Sequence, residues 1–256
     1  MARAPCEGPS LTDGPAVSEG PAPSDRRFDA VVFDLFGTLV PEYSKQEFYG
    51  SVDAAARVLG ADVERFREAW NATAPARQTG GWTSIEDGIR GLCHTLGVAD
   101  PDERTLAASL VPRAEMYARK FHPQPGAVET LRELKARGYP IALVSMCAPE
   151  IPPMWHASPM APYVDVEIFS SETGLRKPDP AIYLAATEGL GIWPERCLYC
   201  GDGAYGELTG AEALGMTAYL IRDGELHPDD ALRPDAEAWD GPAIDDLREL
   251  LELLPR

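Results

Sequence analysis

Four polar residues recur along the 256-residue chain, each at the end of an apolar run or just ahead of a helical segment. They are Asp34 after "AVVF", Ser145 after "PIALV", Lys177 in "GLRKPDP" and Asp202 after "CLYCG". A carboxylate at Asp34 is a candidate nucleophile, able to form an ester or acyl-phosphate intermediate. Thr38 and Ser145 offer hydroxyls for a phosphoryl oxygen, and Gly37 lets backbone amides approach an oxyanion closely. Lys177 supplies a charge that neutralises both carboxylate and phosphate. Asp202 and Glu207 provide hard oxygen ligands of the kind Mg²⁺ takes, one or two carboxylates completed by substrate oxygen and water. A single aspartate closing a strand is often only a turn or cap residue. Four such residues in this order are harder to explain as turns.

The elements that must position them follow from periodicity. Ala30–Phe33 is continuously apolar, as in a strand buried on both faces. "PIALVSMC", "CLYCGD" and "TAYLIRDG" read the same way, and "VDVEIFS" reads as a further strand. "GAVETLRELKARG" has helical spacing and closes on Gly138. "DPAIYLAATEGLG" reads as a helix capped by Asp179 with Pro180 in its first turn. "GELTGAEALG" and the tail "PAIDDLRELLELL" complete the helices. Strands alternating with helices predict an α/β fold: a Rossmann-like three-layer core around a parallel sheet, with polar residues gathered at its C-terminal edge. Between the first two strands, residues 42–121 read as helices, an inserted all-helical cap over that edge. The core is assigned to 28–41 and 122–256. Residues 1–27, rich in Pro, Gly, Ala and Ser, read as a disordered extension.

On these residues, the chain from Phe28 to about Leu220 resembles the haloacid dehalogenase superfamily, subfamily I, with a helical cap. "DLFGT" matches its first motif, Ser145 in "ALVSM" its second, Lys177 in "GLRKPDPAIY" its third and "CGDGAYGELTGAEALGM" its fourth. The resemblance implies Asp34 as nucleophile; Thr38, Ser145 and Lys177 on the phosphoryl group; and Mg²⁺ on Asp34, Asp202, Glu207 and the Phe36 carbonyl. The expected activity is a Mg²⁺-dependent phosphatase acting on a small phosphorylated metabolite through an aspartyl-phosphate.

Two positions depart from the family pattern. Glu207 stands where aspartate is common and is one methylene longer. Phe36 stands where most phosphatases of the family carry an aspartate that protonates the leaving group. Loss of such a group typically costs about 10²–10⁴-fold in rate. An alternative reading is therefore a dehalogenase-like hydrolase using Asp34 on carbon, although Asp202 and Glu207 argue against a metal-free enzyme. A third is a catalytically weak binding module. A Schiff base on Lys45, as in a phosphonate-cleaving relative, has no supporting context.

The cap is expected to choose the substrate. Arg77, Gln78 and Trp82 lie in its "NATAPARQTGGWTSIEDG" loop, and Tyr43 follows the first motif. Arg77 and Trp82 are the substrate-binding candidates there, alongside Gly37, Ser145 and Lys177. Trp155 and His156, in a Pro- and Met-rich stretch after the second motif, are placed near the site. His94, His122, His156 and His227 show no ligand spacing.

Composition bounds the rest. The net charge of −18 repels polyanions, which excludes a broad nucleic-acid surface but not a small anionic substrate held locally. No uncharged apolar run is long enough to cross a membrane, and no secretory signal is visible. Five cysteines at irregular spacing do not form a disulfide framework. Cys197 and Cys200 fall three apart on a strand and should face opposite sides, which suits core thiols rather than a metal clip. A cytoplasmic monomer or homodimer is expected.

Overall fold

The structure, a computed structural model, describes residues 26–222 and 233–256. Most of the extension expected over 1–27 lies outside the described residues, as do Cys6 and His227.

Six strands form one sheet: β1 (Ala30–Phe33), β2 (Ile141–Ser145), β3 (Val166–Phe169), β4 (Cys197–Gly201), β5 (Thr217–Ile221) and β6 (Ala243–Ile244). Their order is β3-β2-β1-β4-β5-β6, and every neighbouring pair is parallel. Such a sheet needs cover on both faces, and alternation along each strand feeds both. Val31, Phe33, Leu143 and Leu198 meet Leu131, Leu134 and Leu250 on one side. Ala30, Val32, Val144 and Tyr199 meet Ile182 and Leu208 on the other. Cys197 and Cys200 are both fully buried and belong to opposite faces, so they cannot share a ligand.

Between β1 and β2 run α1 (Lys45–Val58), α2 (Val63–Ala72), α3 (Ala74–Gln78), α4 (Ile85–Leu96) and α5 (Glu103–Lys120). Short polar caps start four of them. Ser44 and Glu47 form a capping box on α1, while Asp62, Ser84 and Asp102 each accept a backbone N–H at the starts of α2, α4 and α5. Four of these helices, α1, α2, α4 and α5, close a core of their own, including Val52, Phe66, Trp70, Ile89, Leu92 and Leu106. After them come α6 (Ala127–Ala136), α7 (Ile151–His156), α8 (Ser170–Thr173), α9 (Pro180–Leu190), α10 (Glu207–Glu212), α11 (Pro234–Ala238) and α12 (Leu250–Leu253). Asp179 caps α9 through the Ala181 N–H, with Pro180 in the first turn.

Three segments differ from the periodicity reading. The loop expected around Arg77 contains a helix, α3, because Pro75 fits a first turn and Trp70 supplies a surface to pack on. The final helix expected from Pro242 starts instead as strand β6, which pairs with Leu220 and Ile221 and fills the sheet edge. The stretch around Trp155 is helical, with Trp155 buried and its indole N–H directed at Glu167, not at the site.

Central β1 lies between β2 and β4, where the order of strands reverses. That switch point opens a crevice at the C-terminal edge, and Asp34, Ser145 and Asp202 all sit there. Leu143 on β2 is fully buried, so Leu143→Ala should lower stability by about 2–5 kcal/mol. Trp193 is 75% exposed, and Trp193→Ala should change stability by less than about 0.5 kcal/mol. Urea unfolding with an unchanged m-value checks both.

Candidate active site

Asp34 follows β1 directly, and its N–H donates to the Cys200 carbonyl of β4 at 3.0 Å. That bond fixes the residue at the mouth of the crevice. The chain then turns tightly, with the Gly37 N–H donating to the Val40 carbonyl at 2.8 Å. Gly37 has φ +75°, and a Cβ there would lie 2.1 Å from Asp202 Oδ2 and 2.9 Å from Arg233 Nη2. Only glycine permits this turn against those side chains. The turn brings Thr38 Oγ1 back to donate to Asp34 Oδ2 at 3.3 Å.

Lys177 is 1% exposed. Its Nζ donates to Asp34 Oδ1 and, at 2.5 Å, to Glu207 Oε2. The loop carrying it is tied to the second motif by the Lys177 N–H, 3.4 Å from Met146 Sδ. Glu207, fully buried at the start of α10, also accepts from the Tyr199 hydroxyl at 2.7 Å and the Gly203 N–H at 3.0 Å. Asp202 accepts the Ala204 N–H at 2.9 Å and pairs with Arg233 Nε at 2.7 Å. Ser145 closes β2 and is 1% exposed; its Oγ lies near the Cys147 thiol and has no oxygen or nitrogen partner within hydrogen-bond geometry among the described residues. A buried hydroxyl without such a partner at the end of a strand is poised for an incoming oxygen.

Asp34, Asp202 and Glu207 each offer an oxygen, all within 4.8 Å of one another. Hard oxygen donors so close suit a divalent cation. Electrostatics agree: burial, then the Glu207 charge, push the Asp34 carboxyl up to about 6 despite Lys177. Burial, then Glu207, hold Asp202 well above the carboxylate range despite Arg233. Burial alone would lower Lys177, but Asp34 and Glu207 hold it raised. The site is short of positive charge, and a divalent ion would relieve it.

A cavity of about 630 Å³ opens from Asp34 towards the cap. Phe36 lies on its wall, 8% exposed, with its ring centroid 5.4 Å from Tyr43 and 6.1 Å from both Tyr117 and Phe121. Arg77 reaches the cavity but is buried, its guanidinium 4.1 Å from the Trp70 ring and donating to the Trp70 carbonyl. Trp82, expected at the substrate, does not line the cavity; it packs edge-on against Trp70 and over Gly88. Gln78 bridges from the cap to Tyr205, donating to its hydroxyl at 3.0 Å. Lys45 stands exposed at the rim, and Arg176 is exposed beside the loop. His94, His122 and His156 are all exposed.

Sequence reading missed Tyr199, Arg113 and Arg233. Tyr199 looks like one more apolar strand residue. Arg113 carries a signal in principle, a charge in the middle of a helix that is buried there. Arg233 follows a stretch with no periodicity and has no such signal.

A family model described as haloacid dehalogenase-like hydrolase matches residues 28–215. Phosphoglycolate phosphatase 1 of Pseudomonas aeruginosa is 30% identical over 227 residues, 86% of this chain and 78% of that protein. An (S)-2-haloacid dehalogenase of Pseudomonas sp. is 27% identical over 231 residues, 87% of this chain and 93% of that one. A solved structure of a HAD phosphatase from Thermococcus onnurineus superposes with a TM-score of 0.58 at 24% identity, covering 89% of this chain and 98% of that one. No helix among the described residues is long and apolar enough to cross a membrane.

The raised Asp34 pKa has a defined sign. In metal-free protein the folded state keeps this proton up to about pH 6, while the model value for the unfolded chain is 3.8. The folded state therefore binds more protons between those values, and stability from this group is full below about pH 4 and lost as pH rises through 6. Metal-free wild type, measured against Asp34→Asn by urea unfolding, should lose on the order of 1–3 kcal/mol between pH 4 and pH 7. A flat difference would contradict burial as the main influence on Asp34.

Proposed function

We propose that this chain, which belongs to the haloacid dehalogenase-like hydrolase family, is a Mg²⁺-dependent phosphatase acting on a small phosphate ester through an aspartyl-phosphate. The observation that carries this reading is the buried trio Asp34, Asp202 and Glu207 around Lys177. A carboxylate that attacks a phosphate must first overcome like-charge repulsion, and these residues are the means to do so.

Asp34, Asp202 and the Phe36 carbonyl are the ligands proposed for Mg²⁺, with Glu207 behind them. When bound, the ion supplies positive charge that offsets repulsion between carboxylate and phosphate. Asp34 attacks phosphorus; the new Asp34 O–P bond forms as the ester P–O bond breaks. Lys177 fixes the Asp34 oxygen Oδ1 through its Nζ and stabilises charge on the phosphoryl group. The Ser145 hydroxyl, without an oxygen or nitrogen partner among the described residues, donates to a phosphoryl oxygen, and Thr38 orients Asp34 Oδ2. Water then cleaves the acyl-phosphate, restoring Asp34 and releasing phosphate. Glu207 accepts from Lys177, Tyr199 and the Gly203 N–H, so its first role in this reading is to position the lysine, with Oε1 keeping capacity towards the ion.

Phe36 gives no proton to the leaving oxygen. Rates should therefore depend steeply on leaving-group acidity, with aryl phosphates turned over far faster than alkyl phosphates, which a substituted aryl series measures directly. Asp34→Asn should abolish turnover, and chelation of Mg²⁺ should reduce it to background. Phe36 also supports the second reading, attack of Asp34 on carbon. Hydrolysis of a haloacid in the presence of chelator, without any Mg²⁺-dependent phosphatase activity, would establish that reading instead.

A further inference from the structure

The cavity has two ends of opposite charge. Asp34, Glu42 and Arg233 line the reacting end and are ion-paired there with Lys177 and Asp202, Lys177 in turn pairing with Glu207, an excess of negative charge among the described residues. At the cap end the balance reverses. Arg77 on α3 and Arg113 on α5 both line the cavity, and both are buried, at 4% and 6% exposure. Their guanidinium carbons lie 4.1 and 4.9 Å from the centroid of the same Trp70 ring. One carboxylate, Glu150, answers the two: its Oε1 accepts from Arg113 Nε. Arg113 Nη2 donates to the Tyr117 hydroxyl at 2.7 Å, while Nη1, like Glu150 Oε2, is buried with no hydrogen-bond partner among the described residues. Arg77 donates only to the Trp70 carbonyl and the Thr73 hydroxyl and meets no carboxylate among the described residues.

We propose that Arg77 and Arg113 form a second anion subsite, which receives a carboxylate carried by the substrate at the end remote from its phosphoryl group. A buried guanidinium without a counter-charge is costly, and the excess here is a single positive charge. A singly charged group balances it, whereas a second phosphate would overshoot. Burial, then the Arg113 charge, pull Arg77 down to about 10, the direction expected of a cation lacking an anion. The wall between the two ends is aromatic: Phe36, Tyr43 and Tyr117 line it, with rings in mutual contact. The body of the substrate is accordingly apolar. The reacting end of this assignment rests on the phosphatase reading; the subsite itself does not.

Two measurements on the full chain separate those parts. The first compares kcat/KM for para-carboxymethylphenyl phosphate, and its longer carboxyethyl homologue, with para-tolyl phosphate, three esters whose leaving phenols are of similar acidity. Wild type should prefer at least one carboxylated ester by on the order of tenfold or more. The second measures calorimetric binding of the corresponding benzylphosphonates, which cannot be hydrolysed, and should give the same preference. In Arg113→Met and Arg77→Met the preference should collapse towards unity in both, the ratio cancelling any general loss. Equal values for carboxylated and methyl probes in wild type would overturn the subsite, as would a preference that survives both substitutions. A preference in binding with no turnover of any ester would leave the subsite standing and overturn the phosphatase reading.

Discussion

Lys177 makes two ion pairs in the interior, to Asp34 and Glu207, and all three side chains are almost fully buried. Buried ions cost several kcal/mol each unless paired and hydrogen-bonded, and removing one partner from such a group is worse than never burying it. The surrounding fold is arranged to meet that condition. β1 delivers Asp34, the loop before α9 delivers Lys177, and α10 delivers Glu207 with Tyr199 and the Gly203 N–H as further donors. The parallel sheet brings these distant segments to one edge, and Gly37 keeps the backbone out of the space Asp202 needs.

A carboxylate held this way is oriented but ionises less readily than an ordinary one in metal-free protein, since burial and Glu207 outweigh Lys177. The charge deficit is local, so the chain's large net negative charge matters little to it. Ordinary globular proteins carry such acidity at the surface. Here a few buried groups set the chemistry, and a divalent cation is the natural complement to them.

Phe36 links this chemistry to the cap. At the position where a proton donor is usual in the family, its ring joins Tyr43, Tyr117 and Phe121. The apolar wall gained is visible in the structure; in the proposed reading proton transfer is lost with it, and reactivity shifts towards leaving groups that depart unaided. The same wall leads to the buried guanidinium pair. On the proposals made above, leaving-group chemistry and substrate selection meet in one cavity, whose floor comes from the core and whose far end comes from α3 and α5.

The sequence by itself determined the class of fold and the identities of the residues around Asp34. Continuous apolar strands, glycine-closed helices and the order of Asp34, Ser145, Lys177 and Asp202 are local patterns, and local patterns survive in one dimension. Strand β6 was misread because two residues carry no period; pairing with β5 made them a strand. Tertiary structure alone decided the rest. Arg77 lies in a polar, Gly-containing stretch, yet packing on Trp70 buries it. Trp82, its near neighbour, faces away from the cavity. Arg113 and Arg233 come from segments far from any motif. Which charges share a cavity depends on contacts between residues tens to hundreds of positions apart, and no spacing along the chain encodes them.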